Sequence, residues 1–175
     1  MYRENAGSVR PAKNSTCCFS GYRPEKLPWG ENEEDERCRE LKRRLFHISE
    51  SLRDAGYRHF MCGMARGSDI YFCEAVLLLR DIYPDVTIEA ALPCPEQADR
   101  WPRAWRERYF ELVRQCDRET LISMRYTKDC MRRRNKFMVD NSALIITVFD
   151  GRPGGTMATR RYAISKGLEI IDLMP

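Results

Sequence analysis

The chain has 175 residues, 43% hydrophobic and 32% charged, with a formal net charge of +4 at pH 7. That length fits one domain, and the composition excludes collagenous, low-complexity and disordered classes. No apolar run approaches the roughly 20 residues of a membrane-spanning helix. The excess of +4 is too mild to point to a phosphate-backbone binder, so nucleic acid is an unlikely partner and a small anionic ligand a better one.

Met1 to Asn14 carries Arg3, Glu4, Arg10 and Lys13 and no apolar stretch. It reads as a flexible arm over 1–14 rather than a secretory leader, ahead of a single domain over 15–175. Eight cysteines are present, none with C-x-x-C spacing. Several fall in apolar segments, so they read as buried, reduced thiols of a cytoplasmic protein, with no disulfide scaffold and no metal site.

Strand-like and helix-like patterns alternate. A short strand over Ser15 to Phe19 precedes a helix from about Glu33 to Ala55, where Cys38, Leu41, Leu45, Ile48 and Leu52 recur on one face. His59 to Gly63 reads as a strand and Ser68 to Asp81 as a helix; Val86 to Leu92 is again a strand and Gln97 to Cys116 a helix. A fourth strand is expected over Thr120 to Met124, then a helix capped by Thr127 and running to Asp140. Ala143 to Phe149 is a continuous apolar run, typical of a central strand covered on both faces. A helix over Gly155 to Lys166 and a strand over Glu169 to Leu173 close the chain. The alternation predicts an α/β, Rossmann-like three-layer sandwich: a mostly parallel sheet of five or six strands with helices on both faces.

Six of the ten glycines lie just after three expected strands: Gly21; Gly63 and Gly67; Gly151, Gly154 and Gly155. Loops after the carboxyl ends of parallel strands form the ligand crevice of such a sheet. Glycine there lets the backbone approach a ligand, and helix N-termini offer free N–H groups to an anion. The candidate ligand residues are Ser20, Gly21 and Arg23 in the first loop and Gly63, Gly67, Ser68 and Asp69 in the second. Arg134 and Asn135 join them from the fourth helix, and Asp150, Gly154, Gly155 and Thr156 from the last loop. Neither G-x-G-x-x-G nor a P-loop is present. Glu74 reads as a salt-bridge partner, and Trp101 and Trp105, four apart, as neighbours packed on one helix face. Arg132, Arg133 and Lys136 read as solvated surface. His47 and His59, inside a helix and at a strand start, leave Cys94 without a catalytic base, so no catalytic residue is assigned.

Five segments in order resemble the SLOG superfamily, the Rossmann-like group that includes LOG-type nucleotide phosphoribohydrolases and DprA-type DNA-processing proteins, and within it the bacterial YpsA-like branch. They are SGYRP at Ser20–Pro24, GMARGSD at Gly63–Asp69, LPCPEQADRW at Leu92–Trp101, RRNKFMVDNS at Arg133–Ser142 and DGRPGGT at Asp150–Thr156. The resemblance implies a nucleotide-derived ligand such as AMP, NAD or ADP-ribose at the carboxyl edge of the sheet, and it allows a homodimer. In LOG enzymes an R-K-x-x-M helix precedes a P-G-G-x-G-T loop and a catalytic glutamate. Arg134 and Met138 match the first motif, with Asn135 in place of the lysine, and Pro153–Thr156 match a shortened second. Met157 to Arg161 hold no carboxylate, so the glutamate has no counterpart; Asp69, Glu74 and Asp150 are the other candidates. The expected function is sensor-like nucleotide binding in the cytoplasm. A hydrolase of a nucleotide N-glycosidic or phosphate bond is the alternative, and a protein or nucleic-acid interaction module built on Arg132 to Lys136 is the third.

Overall fold

The computed structural model describes residues 3–4 and 9–175. The strands are β1 (Arg3–Glu4), β2 (Thr16–Ser20), β3 (His59–Cys62), β4 (Thr87–Leu92), β5 (Arg118–Leu121), β6 (Leu144–Val148) and β7 (Glu169–Leu173). The α-helices are α1 (Glu36–Asp54), α2 (Ser68–Ile82), α3 (Arg103–Gln115), α4 (Cys130–Asp140) and α5 (Gly155–Ser165). One sheet runs in the order β1-β5-β4-β3-β2-β6-β7. β2 to β7 are parallel, and β1 joins β5 antiparallel. The α/β, Rossmann-like expectation holds, with six parallel strands.

The chain steps outward from β2 to β5, returns to β6 on the other side of β2, and steps outward again to β7. The order therefore reverses between β2 and β6, and a crevice opens beyond their carboxyl ends. Both strands are buried along their whole length, as their apolar runs require. α1, α2 and α3 cover one face and α4 with α5 the other. α1 forms because Asp35 caps it, accepting from the Arg37 N–H at 2.9 Å, and because Cys38, Leu41, Leu45 and Leu52 share its buried side.

Three local expectations are corrected. The helix expected over Gln97 to Cys116 splits into a 3-10 turn at Pro95–Ala98 and α3 from Arg103, because Pro102 offers no N–H and holds Trp101 out of helical geometry. Trp101 therefore precedes the helix that carries Trp105. The fourth strand begins at Arg118 rather than Thr120. Thr127 does not cap α4; Asp129 holds that position and accepts the Thr127 hydroxyl at 2.8 Å. Of the arm expected over 1–14, residues 1–2 and 5–8 lie outside the described residues. Arg10 pairs with Glu89 at 3.4 Å and lies 4.7 Å over the Phe137 ring. No described helix is long and apolar enough to cross a membrane.

Candidate functional site

A cleft of about 370 Å³ sits at the reversal point. Ser20, Gly21 and Arg23 reach it from β2, Asp69 from α2, Arg134 and Asn135 from α4, and Gly155 and Thr156 from α5. These expected residues meet although up to 136 positions separate them in sequence. Of the other expected residues, Gly63, Gly67 and Ser68 stand behind the lining, and Asp150 and Gly154 lie in the loop beside the mouth.

The backbone is drawn together at Gly21. Its N–H donates to Asp69 Oδ1 at 3.4 Å, and its carbonyl accepts the Thr156 hydroxyl at 3.2 Å. Ser68 donates through both its N–H and its hydroxyl to the Tyr22 carbonyl, at 3.1 and 2.7 Å. Gly67 is fixed twice over: its φ of +85° favours glycine, and a Cβ would stand 2.8 Å from the Tyr22 carbonyl oxygen. Met64 holds a φ of +54° while fully buried, a strained conformation costing about 1 kcal/mol or more.

Arg134 is the central cation. It is 5% exposed, and Nη1 donates to the Gly63 carbonyl and to the Ala91 carbonyl at 3.3 Å. Nε donates to Asn135 Oδ1 at 2.7 Å, and Asn135 Nδ2 donates to the Thr159 hydroxyl at 2.8 Å. A Cβ on Gly63 would overlap the Arg134 guanidinium, so glycine there is a matter of space. Burial lowers the Arg134 pKa, opposed by nearby Asp69. Burial raises the Asp69 pKa, opposed by Arg134, the Ala65 N–H, Arg23 and the Gly21 N–H. Arg23 is exposed and makes no hydrogen bond or ion pair among the described residues. α5 opens with no acidic residue in its first turn and no side-chain cap, so its first N–H groups are open to an anion.

The mouth is tied shut on one side. Tyr22 donates its hydroxyl to Asp150 at 2.6 Å, Lys26 Nζ donates to the Pro153 carbonyl at 2.6 Å, and Arg152 donates to the Lys26 carbonyl at 2.6 Å. Hydrogen bonds from Arg152 and Tyr22 hold Asp150 well below the usual carboxylate range, so it is a fixed anion and a latch. Lys26, Tyr22 and Met131 line the cleft and were not among the expected residues; only the nearness of Tyr22 and Lys26 to the S-G-x-R turn signals them.

Other side chains settle into structural roles. Glu74 accepts from Arg108 at 2.6 and 2.7 Å, the salt bridge expected of it. Trp105 is buried and donates to Glu31 at 3.2 Å. Cys94 is buried, with its thiol pushed up to about 12 by burial and by Cys130, so it stays protonated at neutral pH. All eight cysteines are free. Among the described residues no group of His, Cys, Asp or Glu could hold a metal ion.

The YpsA family model, described as the YspA SLOG family, matches residues 17–168. Among curated relatives, the prophage-derived protein YoqJ of Bacillus subtilis is 28% identical over 137 residues, 70% of this chain and 80% of the relative. A UPF0398 protein of Bacillus velezensis is 22% identical over 139 residues, 78% of this chain and 76% of the relative. The solved structure of DNA processing protein A from Helicobacter pylori superposes with a TM-score of 0.64 at 16% identity, over 93% of this chain. The chain spans 66% of that protein's length, and the likeness is one of fold. That protein is described by its single-stranded DNA binding mode. The expectation that nucleic acid is an unlikely partner is therefore corrected: it rested on the mild overall charge, and a protein of the same fold binds single-stranded DNA. Matched over 17–168 of its residues, the chain belongs to the YspA SLOG family.

Proposed function

We propose that the cleft binds the phosphate of a nucleotide or nucleotide derivative and that the domain acts as a sensor-like binding module. The observation that carries this reading is the convergence of the unpartnered Arg23, the buried Arg134 and the open N-terminus of α5 on one cleft. A phosphate there gains charge-assisted hydrogen bonds in a partly desolvated setting. Asp69 beside Arg134 suits a ribose hydroxyl. AMP, NAD and ADP-ribose all present this combination. Hydrolysis of an N-glycosidic or phosphate bond is the lesser reading, because Asp69 is the carboxylate nearest in kind to that task and both its oxygens accept backbone N–H bonds. The fold shared with a single-stranded-DNA-binding protein supports including nucleic acid among the ligands. Eight free thiols fit a reducing compartment such as the cytoplasm.

A thermal-shift screen with AMP, ADP, ATP, GTP, NAD, ADP-ribose and a short single-stranded oligonucleotide tests the reading. A ligand at 100 times its Kd adds about 2.7 kcal/mol, a shift on the order of 5–10 °C for a domain of this size. Arg23→Ala, at an exposed side chain, should keep the unliganded melting temperature and lose the shift. Indifference of the wild type to every ligand in the panel would overturn the reading.

A further inference from the structure

The cleft continues into a second cavity, of about 460 Å³, along the groove between α4 and α5. Met131, Asn135 and Gly155 line both, so the two form one trough. The two ends differ in chemistry. Asp69 and Glu25 stand in the cleft, whereas no carboxylate lines the extension. Its wall carries Lys128 in the turn entering α4, then Arg132 and Lys136 one helical turn apart. All three are exposed. Lys128 and Arg132 make no hydrogen bond or ion pair among the described residues, and Lys136 lies 5.1 Å from the centre of the Tyr162 ring. Two acids flank the groove: Asp129, at the cap of α4, accepts the Thr127 hydroxyl at 2.8 Å, and Asp140 accepts the Tyr162 hydroxyl at 2.9 Å and pairs with Lys166 at 3.6 Å.

Cations four apart on a helix are separated by about 6 Å, a run of positive charge suited to a ligand with repeated phosphates. The opposite wall offers the small Ala158 and the Tyr162 ring, over which the exposed Lys136 and Lys166 stand at 5.1 and 5.3 Å; a base stacks there by displacing one of these flexible side chains, which inorganic phosphate has no need to do. Asn135 stands at the junction with its amide fixed on both sides, by Arg134 and by Thr159.

We propose that the trough takes a single-stranded oligonucleotide, with one phosphate at Arg23, Arg134 and the start of α5 and the next unit lying over the α4–α5 groove against Lys128, Arg132, Lys136 and Tyr162. The proposal rests on the cleft being a nucleotide-phosphate site, and it specifies that ligand as longer than one unit.

The test compares thymidine monophosphate, the dinucleotide pTpT, a ten-residue oligo(dT) and inorganic tripolyphosphate by calorimetric titration of the full chain at two salt concentrations. In the wild type, pTpT should bind about tenfold tighter than the monophosphate, the gain of one stacked and charge-paired unit. The triple variant Lys128→Ala, Arg132→Ala, Lys136→Ala changes exposed side chains only. It should remove that gain and leave monophosphate affinity unchanged. It should also flatten the salt dependence of oligo(dT) by about 0.7 in log–log slope for each phosphate that is no longer neutralised. Tyr162→Leu should reduce the gain without altering the slope. Equal affinity for one and two units, with the monophosphate still bound, overturns the extension and leaves the cleft reading intact. Tripolyphosphate binding as tightly as pTpT overturns the oligonucleotide. Oligo(dT) binding that survives Arg23→Ala unchanged places the strand elsewhere and overturns the extension; monophosphate binding that survives the same substitution overturns the cleft reading as well.

Discussion

The two faces of the sheet are built differently. Under α1, α2 and α3 the core is large and aromatic: Phe19 stacks on Phe72 with ring centres 4.5 Å apart, and Phe60, Leu41, Ile70 and Tyr71 fill the space around them. Under α4 and α5 the core is small, with Cys18, Met61, Ala91, Met138, Val139, Ile145, Ala163 and Leu168. The same face buries charge. Arg134 is 5% exposed, and the fully buried Glu89 meets His59 Nε2 at 2.9 Å. The alternation of strand side chains makes this division: Phe60 and Cys62 point one way and Met61 the other. One face supplies hydrophobic stabilisation, and the other gives up apolar volume to hold a cation under the crevice. The buried cation of the site thus sits in the weaker core, where each polar group depends on a specific partner, while Phe19 and Tyr22 of the larger core reach the cleft from the other side.

The largest test of this division is Phe72→Ala. Emptying the aromatic stack should cost about 3–5 kcal/mol in chemical denaturation, while ligand affinity of the folded fraction stays at the wild-type value. A loss under about 1 kcal/mol would mean that the aromatic face is not the main source of stability. Next in size is Gly63→Ala. The new Cβ displaces the Arg134 guanidinium, so stability should fall by about 1–3 kcal/mol and the ligand-induced thermal shift should disappear with it. Paired measurements separate the faces: one variant loses stability alone, the other both.

Much of this was legible in the sequence because periodicity and glycine placement are local signals. The apolar run around Leu144–Val148 could only be a buried strand, and three glycine clusters after strands had to share one edge once the sheet was parallel. The match of Arg134 to a family motif singles it out independently of its contacts. What the sequence hid depends on spacing across the fold. Nothing local says that Arg134 runs beneath Gly63, that Lys26 ties down the Pro153 carbonyl, or that Thr156 donates to Gly21. The break at Pro102 is readable from its missing N–H, a signal that the continuous helix expected over Gln97 to Cys116 leaves out. The two-residue β1 is too short to carry a pattern.

The smallest expected effect concerns the rim of the aromatic face. Glu33 is half-buried there, where it accepts from Arg108 Nη2 at 3.1 Å and also pairs with Lys42. Burial raises its pKa, but the bonds from Arg108 and Lys42 outweigh that, and the net direction is downward from the usual 4.5. A carboxyl whose pKa is lowered on folding contributes stability that is fully present above its unfolded value. That stability is lost as pH falls through the folded-state value, so the window lies below about 4.5. Glu33→Gln should therefore cost under about 1 kcal/mol at neutral pH. The difference from wild type should shrink towards zero as the pH drops through that window, and nucleotide affinity should not move. If affinity fell as well, the reach of the aromatic core into the cleft through Phe19 and Tyr22 would extend to this rim, and the separation of stability from site would fail there.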